Sequence, residues 1–254
     1  MTRIIAVTNQ KGGVGKTTTA VNLAASLVAI KRRVLLIDLD PQGNATLASG
    51  VKLADLDFSL ADLLLELTTF EKAKQATSAG YDLLPAGDQL VTAEVQLMQL
   101  TAREFALKKI LMAVQDQYDM ILIDCPPALG ILTVNALVAA DSVLIPVQCE
   151  YFALEGLAAL MRTINQLKAV NPNLVVEGLL RTMYDGRSRL TKEVSAELNK
   201  YFGSKVYETV IPRNVRLAEA PSHGLSALAY DHNSSGALAY LTLAGEIAKQ
   251  YPKE

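Results

Sequence analysis

Cysteine and histidine are scarce in this chain, with two of each in 254 residues. Cys125 and Cys149 form no CxxC pair, and both fall in apolar, strand-like runs. They read as buried free thiols in a reducing compartment, not as a disulfide framework. His223 and His232 are too few and too far apart to suggest a metal cluster. Positive charge is not in excess either: 24 Lys and Arg stand against 26 Asp and Glu, a formal net charge of −2. A broadly basic surface is excluded, so nucleic acid could be met only by a local patch. No apolar run reaches the ~20 residues of a membrane span. Arg3 is followed by a short β run and not by the long apolar segment of a signal peptide. Linkers, low-complexity segments and internal repeats are also missing. The expectation is a cytoplasmic protein with one α/β domain over 1–254, long enough for a substantial core.

What is present is an alternation of short aliphatic runs with helical patterns. Strands are expected at 4–8, 34–38, 82–85, 120–124, 142–147, 175–182 and 207–211. Helices are expected at 16–30, 59–67, 103–117, 130–139, 154–169, 191–202 and 236–251. Several strands are apolar almost throughout, as parallel strands covered on both faces are. The order argues for a doubly wound, mostly parallel sheet flanked by helices. Right-handed crossovers then place the loops after the strands along one edge, where ligands bind. Region 51–99 resists placement and is expected to decorate one side of the sheet.

The first strand runs into Gln10-Lys11-Gly12-Gly13-Val14-Gly15-Lys16-Thr17 and then a helix. Strand, glycine-rich loop and helix make the context a phosphate loop requires. Glycines let backbone N–H groups turn inward around phosphate oxygens, and the helix N-terminus adds a positive field. Lys16 is placed to reach the β- and γ-phosphates, and the Thr17 hydroxyl to ligate Mg²⁺. The usual loop has glycine where Gln10 stands here, and it lacks a counterpart of Lys11. Two further segments fit the same site. Asp38-Leu39-Asp40-Pro41-Gln42-Gly43-Asn44 follows the second strand, and Ile121-Leu122-Ile123-Asp124-Cys125-Pro126-Pro127 ends an apolar strand in a carboxylate. Asp124 is placed to hold a Mg²⁺-bound water, and Asp38 or Asp40 to orient an attacking water. An aspartate after a strand is often only a turn former, but three beside a phosphate loop describe a nucleotide hydrolase.

These segments closely resemble the deviant Walker ATPases, and in particular the ParA/Soj group of partition proteins. The resemblance continues through 146–157 (PVQCEYFALEGL), 182–187 (TMYDGR) and 210–224 (VIPRNVRLAEAPSHG), so it covers nearly the whole chain. It implies a P-loop ATPase using ATP and Mg²⁺. In that family the early lysine reaches across a dimer interface to the other subunit's phosphates, and Lys11 matches it. Asp40 matches the hydrolytic aspartate and is also a possible metal contact. Asp124 matches the Walker B aspartate, and Pro212 and Asn214 the segment that meets adenine. Gly12, Gly13, Val14, Gly15, Lys16, Thr17 and Thr18 complete the nucleotide-binding set, with Lys11, Lys16 and Asp40 as the catalytic residues.

Members of the family differ in what the ATP-bound dimer holds. An iron–sulphur cluster would need two cysteines per subunit on the dimer axis, and Cys125 and Cys149 do not resemble the iron protein's motifs. A MinD-like membrane-cycling ATPase would need a basic and apolar tail, but 236–249 reads as a core-packing helix. For DNA, Arg187, Arg189 and Arg216 are the candidate contacts, and Arg187 and Arg216 match arginines of Soj-like proteins implicated in DNA contact. The resemblance therefore implies a homodimer formed on ATP binding and non-specific binding of double-stranded DNA. It also implies nucleoid association, release by a ParB-like (Spo0J-like) centromere-binding partner, and no membrane role. A ParA-like ATPase that positions a protein cargo on the nucleoid is the alternative. No helix-turn-helix domain is expected before the ATPase.

Overall fold

The computed structural model describes residues 2–252. In chain order the elements begin with β1 (Arg3–Val7), α1 (Lys16–Ala29), β2 (Val34–Asp38), α2 (Asn44–Ala48), α3 (Leu60–Leu64) and α4 (Phe70–Ala73). They continue with β3 (Gln75–Ala76), β4 (Asp82–Leu84), α5 (Gln89–Leu97), α6 (Ala106–Val114), β5 (Met120–Asp124) and α7 (Ile131–Ala139). The last group is β6 (Ser142–Gln148), α8 (Ala153–Leu167), β7 (Val175–Tyr184), α9 (Arg189–Phe202), β8 (Val206–Pro212), α10 (Val215–Glu219), α11 (Ala227–Tyr230) and α12 (Ser235–Gln250).

Among the described residues, one eight-stranded sheet has the order β3-β4-β2-β5-β1-β6-β7-β8. All neighbours pair in parallel except β3 with β4. Side chains alternate across the sheet as the pleat requires. Leu35, Ile37, Ile121 and Ile123 face a layer built from α3 to α9. Val34, Leu36, Met120 and Leu122 face α1, α2, α11 and α12. Every residue of β2 and β5 is buried, which is why both read as unbroken aliphatic runs. The topology sets β1, β2 and β5 side by side although they are far apart in sequence. Register then aligns Asp38 with Asp124, and Val7 with Asp124 on the other side.

The unplaced region 51–99 does more than decorate the sheet. Its β4 extends the sheet beyond β2, while α3, α4 and α5 cover one face. The helix expected at 59–67 is shorter: Ser59 and Asp62 form a capping box, and the helix ends at Leu64, before Glu66 at φ 60. Residues 103–117 are helical, but 3-10 turns at Arg103–Phe105 and Gln115–Gln117 bracket α6.

The opposite edge of the sheet is pinned by a buried ion pair. Glu177, at the start of β7, accepts from Arg3 at 3.1 Å, and its side chain is 1% exposed. The Tyr251 hydroxyl reaches both Glu177 oxygens, at 3.0 and 2.9 Å, and the Arg3 guanidinium lies 4.8 Å above the Tyr251 ring. This cluster docks the end of α12 onto β1 and β7. Removing one member of a buried pair strands the other charge. Glu177→Ala is therefore expected to lower the unfolding free energy by about 3 kcal/mol, and Tyr251→Phe by about 1 kcal/mol. Urea denaturation checks both, and equal midpoints for wild type and Glu177→Ala would refute the pinning role.

Candidate active site

The loop between β1 and α1 is anchored to two neighbouring strands. Asn9 is buried: its Nδ2 donates to the Pro146 carbonyl at 2.8 Å, and its Oδ1 accepts the Lys11 N–H at 3.0 Å. The Thr182 hydroxyl donates to the Val14 carbonyl at 2.8 Å, tying the loop to β7. Gly13 and Gly15 take φ of 72° and 86°, a left-handed backbone that side chains resist. Gly15 is the N-cap of α1, so the loop delivers the chain into the helix with Lys16 and Thr17 in its first turn. The Lys16 ammonium donates to the Lys11 carbonyl at 3.3 Å and curls over the loop. Burial lowers the Lys16 pKa, against the pull of Asp124 and Asp40, which favours its charge.

The three aspartates divide their work. Asp38 is fully buried, and its oxygens accept the Asp40 N–H at 3.2 Å and both the N–H and hydroxyl of Thr46 at 2.7 Å. Burial pushes its pKa up to about 6, although those hydrogen bonds pull the other way. The Thr46 hydroxyl in turn accepts the Ala86 N–H at 2.9 Å. Asp38 thus shapes the turn that presents Asp40. The Asp40 carboxylate accepts the Gln42 N–H at 3.0 Å and lines the cavity. Asp124 is completely buried, and neither of its oxygens has a hydrogen-bond partner of good geometry. Burial first, then the nearby Asp38, raises its pKa well above the carboxylate range, while the Thr17 hydroxyl beside it lowers it. An orphaned carboxylate beside a hydroxyl fits a hydrated divalent cation. Among the described residues no three His, Cys, Asp or Glu side chains form a metal cage of their own. A cation here would take its other ligands from water and phosphate, as Mg²⁺ does.

A cavity of about 680 Å³ lies over the loop, lined by Gly12, Gly13, Gly15, Lys16, Thr17, Thr18 and Asp40, with Pro126 and Pro127 opposite. A smaller one of about 220 Å³ joins Gly15 and Thr18 to Pro212, Arg213 and Asn214. The structure thus brings the loop and the distant 212–214 segment together. The Val14 side chain is buried, 1% exposed, so it can meet a ligand only through its backbone. Lys11 is absent from both walls: its ammonium turns outward to Glu150 at 2.6 Å.

A family model described as an AAA domain matches residues 2–176. The sporulation initiation inhibitor protein Soj of Bacillus subtilis is 54% identical over 98% of this chain and 99% of its own length. The chromosome partitioning protein ParA of Caulobacter vibrioides is 47% identical over 96% of this chain and 93% of its own. The chain belongs to the ParA/Soj family of partitioning ATPases. Solved structures agree on the fold. A Mycobacterium smegmatis protein described as cobyrinic acid a,c-diamide synthase, with an ATP analogue and magnesium, superposes with a TM-score of 0.87. It is 37% identical, covering 99% of this chain and 96% of that one. Pyrococcus horikoshii MinD with Mg-ADP superposes with a TM-score of 0.81 at 26% identity, covering 98% and 97%.

In this ParA/Soj chain the candidate DNA arginines follow neighbouring strand ends, since Tyr184 of β7 aligns with Pro212 of β8: Arg187 lies in the turn before α9, Arg189 opens α9, and Arg216 lies in α10. Each is exposed and engaged by a nearby carboxylate. Arg187 chelates Asp185 through two bonds of 2.9 Å, Arg189 meets Glu193 at 2.7 Å, and Arg216 meets Glu219 at 2.7 Å and Asp231 at 3.2 Å. Arg187, with Arg213 behind it, holds the Asp185 carboxyl down at about 2. Sequence reasoning missed Thr182, which braces the loop from β7, and Glu94, whose carboxylate sits over Gly130 on the far wall of the large cavity. Neither belongs to a phosphate-loop motif, and only the fold places them here. It also missed Met183, which joins both cavities at φ 47, a strained backbone for a side-chain-bearing residue.

The division between Asp38 and Asp40 is testable by stability. Asp38→Ala leaves two buried Thr46 donors unpartnered and is expected to cost about 2 kcal/mol. Asp40→Ala removes a carboxylate at the cavity wall and is expected to change stability by less than about 1 kcal/mol. Denaturant midpoints of the nucleotide-free variants decide it, and the reverse ranking would contradict the assignment.

Proposed function

We propose that this chain is an ATP-driven DNA-segregation switch. ATP occupies the two adjoining cavities, with its phosphates in the loop and its base against Pro212 and Asn214. Lys16 balances the β- and γ-phosphate charge, and the loop N–H groups hold the oxygens. Thr17, and Asp124 through water, would hold Mg²⁺, which neutralises phosphate charge when bound. Asp40, fixed by the Asp38–Thr46 turn, orients water toward the terminal phosphate. The observation that carries the reading is the split between the two lysines. Lys16 lies inside the cradle, while Lys11 lines neither cavity and pairs with Glu150 instead, in reach of a nucleotide held by a second copy.

ATP then drives dimerisation, because Lys11 from each copy compensates phosphate charge that otherwise opposes close approach. A dimer also doubles the arginine-bearing segments at 185–189 and 213–216. Several phosphate contacts are needed for useful affinity, so DNA binding follows the nucleotide state. A ParB-like partner stimulates hydrolysis and releases the dimer. The name of the Mycobacterium smegmatis neighbour belongs to small-molecule chemistry, but its 37% identity lies below the 47–54% of the partition relatives. A membrane-cycling role is disfavoured by α12, whose Ala237, Tyr240, Leu243, Ala244 and Ile247 are buried in the core.

Random-sequence duplex DNA tests the reading. Asp40→Ala protein, which retains ATP, is expected to bind DNA with ATP and at least about tenfold more weakly with ADP or no nucleotide. Arg187→Glu and Arg216→Glu in that background are each expected to weaken binding by at least about tenfold and to flatten its salt dependence. DNA affinity independent of nucleotide, or untouched by both arginine changes, would overturn the proposal.

A further inference from the structure

The cis ion pair of Lys11 carries an inference of its own, one that rests on the dimer reading above. Lys11 Nζ donates to Glu150 Oε2 at 2.6 Å, and the two side chains are 37% and 44% exposed. Glu150 stands just beyond β6, in the turn 149–152, and β6 is the sheet neighbour of β1. The backbone of Lys11 is fixed independently by the Asn9 side chain, which is itself anchored to Pro146 of β6. Loop and turn are therefore held in one frame, and the long lysine side chain is the adjustable part. Its ammonium has gone to a carboxylate of its own subunit and not to its own phosphate cradle.

We propose that Glu150 is a latch that parks Lys11 in the monomer and opposes dimerisation until a partner-held nucleotide offers a stronger anion. The physical logic is a competition for one cation. A single half-exposed carboxylate holds an ammonium weakly, because solvent screens the pair. A triphosphate in a closed interface carries more charge in a drier setting and wins. The latch thus sets a threshold: without a triphosphate across the interface, Lys11 stays paired at home. Beside the latch, Tyr151 and Phe152 are 77% and 63% exposed with their rings packed edge to face, and a dimer that releases Lys11 forms next to them.

Glu150→Gln keeps the shape and removes the charge. Each dimer opens two latches, so the dimer dissociation constant with ATP is expected to fall by the square of the single-pair effect, roughly 4- to 25-fold. Sedimentation of Asp40→Ala and Asp40→Ala/Glu150→Gln proteins measures this at low and high salt. The gap between them should shrink as NaCl rises from about 50 mM to about 500 mM, because a half-exposed ion pair is screened. Melting temperatures of the nucleotide-free proteins should agree, which separates a latch from a structural prop. Equal dimerisation, weaker dimerisation of the Gln variant, or a gap that persists at high salt would each overturn the latch while leaving the dimer in place. No ATP-dependent dimer in either protein would contradict the dimer reading itself and remove the latch with it.

Discussion

The active edge is organised around a buried positive charge facing buried negative ones. Lys16 is 8% exposed at the foot of the loop, and Asp124 and Asp40 act on it from the ends of the next two strands over. Asp38, the Cα partner of Asp124 across the ladder, adds a third carboxylate. A bare polyanion would be attracted by Lys16 and the loop N–H groups but repelled by the aspartates. A polyanion that carries its own divalent cation satisfies both sets at once. The site's charge pattern therefore selects a metal-bound phosphate chain, and the fold exists at this edge to hold that pattern still.

Holding it requires braces that have no chemistry of their own. Thr46 donates its N–H and its hydroxyl to one Asp38 oxygen and accepts the Ala86 N–H, so the turn after β2 is tied to the segment after β4. Thr182 and Asn9 fix the phosphate loop to β7 and β6. On the α2 side, Gly50 and Gly224 cross so closely that a Cβ on Gly224 would sit 2.6 Å from the Gly50 Cα. That crossing fixes the stretch following α2 against the segment following α10, which carries Arg216. The nucleotide turn and the helix that carries Arg216 are thus parts of one packed layer.

Much of this was legible in the sequence because the strands are buried on both faces. Runs such as Val34–Asp38 and Met120–Asp124 have no polar face to confuse their period, and each ends in an aspartate at the active edge. The phosphate loop was legible because its glycines and lysine sit at fixed spacing after a strand. The helix Gln89–Leu97 was not recognised, although Leu90, Ala93 and Leu97 face the core at helical spacing, because Val91 and Val95 on its outer side blur the pattern. The distinct work of Asp38 and Asp40 was separated by the family resemblance alone, since physically it depends on which carboxylate Thr46 captures. Nor could the Lys11–Glu150 pair: 139 positions separate its members, and only the β1–β6 pairing brings them together.

Asp124 is the proposed metal-side carboxylate of a Mg²⁺-nucleotide site built on Lys16. Calorimetric titration of a slowly hydrolysed ATP analogue, with and without Mg²⁺, tests it on wild type and Asp124→Asn. Mg²⁺ is expected to tighten binding to wild type by at least about tenfold, and Asp124→Asn to lose most of this gain while still binding the metal-free nucleotide. An unchanged Mg²⁺ enhancement in Asp124→Asn would contradict it.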